Sequence, residues 1–579
     1  MKQTFSSRLT ELEQCRHNYG KGSAAIVEKR LLAFRKVHFS NAESLIRFHD
    51  CLLFLRAFPQ SGRVAKLAEN LLAGIGQQVA GLRQTAPDAD LFDDEQFSGI
   101  AHTSLRDTST FEVARWLVQR YPQQVSANWD IDEQSRQMSS SLPGLLPLLA
   151  DDSLVEPDTP YLHWLSDAAG GSDKVMPWLL ERVEHLQLPL LEKTAFYDAL
   201  QIELLWELGE CAASRTHSMR RPRTMFCHSE PLLTRKQVSL ADEFRSDALP
   251  ARKLRRREAE DILDMAREAL TVRYRELHGS TRGDPDTVIE ANVGRGVQFY
   301  IWGLPPQWRL PLRAYYAGFT LKNGVPVNYF EAISLFVWVE VGFNTFYAFR
   351  EGETAWIYAK LLHLLQQVGG FECFSVYPYQ LGQDNEEAIH SGAFWFYRKL
   401  GFRPGRPELL ELAQKEEAKM QRNPAHRSSA ATLRKLAAHH VFYELGEGER
   451  GAWDTFTVRN LGFKVQKQMA EKFNGDAERM RQTTSVSTAK MLGVTLDRMN
   501  PQERSALRNF APLLALIPEI ASWSNAEKKA VAEIVKAKAG SNEADYLWRL
   551  QAHPKLRQAV LRLGSSAKPA KARATASTR

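Results

Sequence analysis

Between residues 297 and 349 the sequence changes texture, and that change constrains the fold more than any other feature of the chain. The run RAYYAGFTLKNGVPVNYFEAISLF is dense in β-branched and aromatic residues and carries Asn323-Gly324 in its middle. Such a pair between two strand-like stretches is a strong two-residue hairpin signal, because both central positions of the turn need positive φ. VWVEVGFNTFYAF reads as the next strand. In REGETAWIYAKLLHLLQQVGG, residues Ile357, Leu361, Leu364, Leu365 and Val368 fall on one helical stripe, with glycines at the stop. FECFSVYPY is strand-like again, and DNEEAIHSGAFWFYRKLGFRP is a second helix crowded with aromatic residues. The order strand, hairpin, strand, helix, strand, helix, short strand predicts an α/β layer with a mixed sheet.

The flanks read differently. Residues 1–250 and 411–564 have helical patterning, predicting all-α regions on either side of an α/β domain at 251–410 and a basic, disordered tail at 565–579. Ser40 with Glu43 and Ser524 with Glu527 have the spacing of capping boxes. A loop at 88–95 carries five acids. Basic clusters lie at 215–223 and 252–257, and for the second a solvated or acid-paired helix start is the ordinary reading. At 579 residues the chain is long enough for three or four domains. Its net charge of +7 is modest for this length and argues against a nucleic-acid partner. Five cysteines without metal or redox spacing suit a reducing compartment, and the N-terminal residues have no apolar core of a secretory signal. A cytoplasmic protein without a membrane span or metal is expected. The adjacent His439 and His440, read on a helical run, point in different directions and are no metal pair.

The segment from about 290 to 410 resembles the GNAT superfamily of acyl-CoA-dependent N-acyltransferases, on the strand and helix order and on Asn385, Ala388, Phe396, Tyr397, Arg398, Gly401 and Phe402 after the fifth strand. The resemblance implies acyl transfer, most simply of acetyl from acetyl-CoA, to an unidentified amine. It places Tyr397 as general acid toward the departing thiolate and a carboxylate as base toward the amine. Glu340 on the fourth strand is the candidate base and Glu331 the runner-up. Asn385 and the 350–355 loop, through Arg350, Gly352, Thr354 and Ala355, are the implied cofactor contacts.

That loop, FREGETAW, departs from the family's phosphate-binding pattern in either register, and Glu351 and Glu353 put negative charge where a pyrophosphate would arrive. The same loop supports the alternative of a catalytically inactive scaffold or acyl-CoA sensor whose helical flanks bind a protein partner.

Overall fold

Helices dominate the first hundred residues of the computed structural model, which describes residues 5–129, 138, 141–146 and 161–566. The helix Ala42–Ala57 is buried along most of its length, including Leu45, Phe48, Leu52 and Leu55. Its N-cap is Asn41, whose side chain accepts from the Ser44 N–H, one residue beyond the expected Ser40. The all-α reading of this region needs correction. Strands β1 (Ser104–Thr108), β2 (Val125–Asn128) and β3 (Glu203–Glu207) form an antiparallel sheet in the order β1-β3-β2. Glu203–Glu207, sequence ELLWE, sits in a Leu- and Glu-rich run with helical propensity. Leu204 and Trp206 are nevertheless buried in alternation while Glu207 is exposed, so packing against two partner strands overrides local preference.

Among the described residues, nine strands make the central sheet. They are β4 (Ala251–Lys253), β5 (Ile289–Gly294), β6 (Val297–Trp302), β7 (Ala314–Lys322), β8 (Val325–Leu335), β9 (Trp338–Thr345), β10 (Cys373–Val376), β11 (Arg403–Pro404) and β12 (Val441–Glu444). The spatial order is β11-β12-β10-β9-β8-β7-β6-β5-β4. Strands β4 to β9 pair antiparallel, and β9 with β10 is parallel across the helix Thr354–Gly369, which makes the sheet mixed as expected. The sheet starts at residue 251 with β4, ahead of the strand-like run from 297, and β12 enters it from beyond residue 410, between β10 and β11. His439 and His440 therefore lead into a strand and do not lie on a helix. Helices otherwise fill the region to residue 564, including Asn525–Lys538 with the Ser524–Glu527 capping box formed. The tail expected at 565–579 lies outside the described residues from 567 onward. The Gly294–Gly296 segment is a turn, with all three residues at positive φ.

The hairpin tip is buried, which a polar two-residue turn does not foretell. Asn323 is 1% exposed; its side chain donates to the carbonyls of Ala57 and Phe226 and accepts from the Phe226 N–H. Gly324 has φ +79°, and a Cβ there would lie 1.8 Å from the Arg220 carbonyl oxygen. Gly324→Ala combines left-handed strain with a backbone clash, and the expected loss is about 3 kcal/mol by denaturant unfolding. A loss below about 0.5 kcal/mol, the range of ordinary surface changes, would show that the tip is not held this way.

Candidate functional site

The site grows out of a break in strand pairing. Strands β9 and β10 pair in parallel from Trp338 with Cys373 to Glu340 with Ser375, and then β10 ends at Val376 while β9 runs on to Thr345. Beyond the break β9 keeps its ladder to β8 only. Pro378 starts a short helix, Pro378–Leu381, that turns the chain away and brings Gln380 into the opening. The Gln380 Oε1 accepts from the Phe343 backbone N–H at 3.4 Å and from the Tyr397 hydroxyl at 3.2 Å. Gly342 makes this approach possible, since a Cβ there would lie 2.9 Å from the Gln380 Nε2.

A cavity of about 860 Å³ opens around this point. Tyr397, Asn385, Arg350 and Thr354 all line it, as does Glu331. Tyr397 comes from the helix Ala393–Arg398, packed edge-on against Tyr358 and Phe402 with ring centroids 5.6 and 5.9 Å away. Its phenol is deeply buried, and burial pushes its pKa well above the ordinary tyrosine value. Asn385 is the N-cap of the helix Glu386–Ser391; its Oδ1 accepts from the Ala388 N–H while its Nδ2 donates to the Tyr379 carbonyl. Asn385 thus serves as a helix cap and as part of the cavity wall at once. Arg350 lies 3.8 Å over the Tyr347 ring and pairs with Glu387. The Thr354 hydroxyl donates to the Arg350 carbonyl.

The remaining expected residues are placed elsewhere. Gly352 and Ala355 do not line the cavity. Gly352 packs on the N-terminal region, where a Cβ would lie 2.5 Å from the Phe58 ring, and Ala355 is buried. Glu340 is not brought to the cavity either. It shares a sheet face with Glu331, because Glu331 is opposite Gly342 and Ile333 opposite Glu340. Further along the strand, however, its carboxylate accepts from or pairs with the His440 Nε2 at 2.7 Å. The runner-up Glu331 is the carboxylate in the cavity wall. It accepts from the Tyr315 hydroxyl, and burial raises its pKa above the usual carboxylate range against the opposing effect of that hydrogen bond.

The two glutamates of the 350–355 loop are both neutralised. Glu351 is exposed and meets Arg16 at 2.8 Å and His17 at 2.7 Å. Glu353 turns inward, is fully buried, and pairs with Arg295; Lys322 lies 3.9 Å away and the Leu233 N–H donates to it. Burial, with Arg295 nearby, pushes the Lys322 pKa down to about 7 despite Glu353. The start of the helix Thr354–Gly369 therefore carries less uncompensated negative charge than the bare sequence suggests.

No protein-family model, curated protein or solved structure matches this chain. Its functional reading rests on geometry. Sequence reasoning missed Gln380, whose only local signal is a Pro two residues earlier just after a strand. It also missed Arg273 and Arg275, which follow the helix Arg256–Thr271 and reach the cavity from outside the region of family resemblance. Among the described residues, no group of three or more His, Cys, Asp or Glu is positioned to hold a metal. No helix there is long and apolar enough to cross a membrane. The basic cluster at 252–257 is acid-paired, with Arg252 on Glu258 and Glu290 and Arg256 on Glu260 and Asp286.

Proposed function

We propose that the protein transfers an acyl group from an acyl-CoA thioester, most simply acetyl-CoA, to an amine, on a GNAT-like sheet. The observation that carries this reading is the opening between β9 and β10, where a backbone N–H of Phe343 and the hydroxyl of Tyr397 converge on one oxygen, the Gln380 Oε1. Two donors that meet at one point inside a cavity can serve the two acceptors of a thioester, the Phe343 N–H its carbonyl oxygen and the Tyr397 hydroxyl its sulfur.

The chemistry follows from the groups present. The lone pair of a neutral amine attacks the thioester carbon and a C–N bond forms. The carbonyl oxygen, taking the place of the Gln380 amide oxygen, gathers negative charge opposite the Phe343 N–H. The C–S bond then breaks, and Tyr397 gives its proton to the thiolate sulfur. The surplus proton of the amine passes to Glu331, whose raised pKa brings it nearer the range of an effective base at neutral pH. The phenolate and the protonated carboxyl exchange back through solvent, leaving an amide and a thiol. Arg350, Thr354 and the free N–H groups at the start of the helix Thr354–Gly369 suit the donor's phosphates.

Binding of the donor is the direct test. Acetyl-CoA at about 100 times its Kd should stabilise the native chain by roughly 2.7 kcal/mol, seen as a rise in melting temperature that free CoA shares. Absence of any shift at millimolar acetyl-CoA, in folded protein, would favour the non-catalytic scaffold instead, with Gln380 as a permanent filling of the opening.

A further inference from the structure

Among the described residues, two guanidinium groups in the cavity wall, Arg273 and Arg275, form no salt bridge with a carboxylate, although Asp50 acts on the first and Glu387 feels the second at longer range. The helix Arg256–Thr271 ends in a turn where the Tyr274 N–H donates to the Thr271 carbonyl and the Arg275 N–H to the Leu270 carbonyl. Tyr274 takes the left-handed conformation with φ +53°, a costly choice for a bulky side chain that places an arginine on either side of it against the cavity. Arg273 stacks 3.9 Å over the Phe346 ring, and its one side-chain hydrogen bond among the described residues goes from Nη1 to the Ala269 carbonyl. Arg275 is exposed and its side chain forms no ion pair among the described residues.

The acids nearby are already engaged. Asp50 pairs with Arg215 at 3.3 Å, Glu387 with Arg350, and Glu331 with the Tyr315 hydroxyl. Asp94 and Glu95 stand on the exposed rim, where Asp94 accepts from the Gln96 N–H, and neither pairs with Arg273 or Arg275. Burial, and then the neighbouring Arg215, pushes the Arg273 pKa well down against the opposing effect of Asp50. Both guanidiniums line the same cavity as Tyr329 and Glu331, the carboxylate assigned to the amine, and both act electrostatically on the Tyr329 hydroxyl.

We infer that Arg273 and Arg275 bind an oxyanion, a carboxylate or a phosphate, carried by the acceptor amine. The inference rests on the acyl-transfer reading for the amine and on the arginine geometry for the anion. A planar guanidinium offers paired donors that match either oxyanion, and stacking on Phe346 holds one of them in orientation. The acceptor class is then an amino acid or an amine phosphate, and a simple alkylamine or a polycation is disfavoured.

The test separates this inference from the reading beneath it. Calorimetric titration of the full chain compares N-acetyl amino acids with their carboxamides, and O-phosphoethanolamine with ethanolamine, without any thioester donor. The anionic member of the favoured pair should bind about tenfold tighter or more. That preference should collapse in Arg275→Gln, an exposed position that leaves the fold intact, and weaken in Arg273→Lys, which keeps the charge and loses the planar fork. Which pair shows it tells carboxylate from phosphate. Equal binding of the neutral partners, no binding of any anionic probe at millimolar concentration, or a preference indifferent to Arg275→Gln would each overturn the inference. If acetyl-CoA fails to stabilise the protein while the Arg275-dependent preference persists, the acyl-transfer reading falls and the oxyanion site stands.

Discussion

Tyr397→Phe is expected to lower the release of thiol from acetyl-CoA by about 10²–10⁴-fold, with any amine the wild-type protein accepts. Affinity for acetyl-CoA should be unchanged. Among the described residues the hydroxyl makes one hydrogen bond, to Gln380, while the ring packs against Tyr358 and Phe402 and should stay in place as phenylalanine. Steady-state rates together with a melting curve for the variant separate the two roles a buried tyrosine can have. A rate loss with an unchanged melting temperature assigns the proton to Tyr397; equal loss of both marks it as core packing.

The pH profile adds a second reading. Tyr397 stays protonated through the neutral and mildly alkaline range because burial raises its pKa, so it contributes no limb there. On the acyl-transfer proposal Glu331 must be deprotonated to accept a proton, so activity should fall as pH drops through its raised pKa. That acidic limb should vanish with the activity in Glu331→Gln. Glu340→Gln should leave the limb in place, since Glu340 is held by His440 outside the cavity.

The second large effect is structural. Glu353→Ala should destabilise the protein by about 3–5 kcal/mol, because it strands Arg295 and Lys322 without their shared carboxylate. Equilibrium urea unfolding measures this, and a double-mutant cycle with Lys322→Met identifies the cause. The double variant should be less destabilised than the sum of the singles, since the methionine removes the stranded ammonium. Strict additivity would mean that Glu353 acts through Arg295 and the Leu233 N–H and not through Lys322. Glu353 sits immediately before the helix Thr354–Gly369, so its loss should also loosen the loop that carries Arg350 and weaken donor binding.

Much of this architecture is written locally. Asn323-Gly324 specifies its hairpin because only two residues need positive φ, and both types adopt it readily. Asn385 and Ser524 cap their helices through bonds reaching three residues along the chain. The stripe from Ile357 to Leu365 buries itself because its period matches the helix, and Tyr397 follows from the same kind of pattern. These features depend on neighbours a few residues away, and a single sequence carries that information in full.

What the sequence could not decide depends on contacts that no local pattern encodes, most of them with partners more than fifty residues distant. Glu331 and Glu340 are equivalent as strand carboxylates, and the choice between them turns on His440, one hundred residues from Glu340, which enters with a strand hidden among helical residues. The two glutamates of REGET repel a phosphate on paper. Arg16, 335 residues before Glu351, and Arg295, 58 residues before Glu353, neutralise them in the fold. Gln380 acquires its position only where β10 leaves β9, and Arg273 and Arg275 meet the cavity only because a helix from outside the resembling segment ends against it. Local pattern sets the secondary structure and the caps, whereas the charges that make a site are paired or left unpaired by chain closure over long loops, which no short-range period encodes.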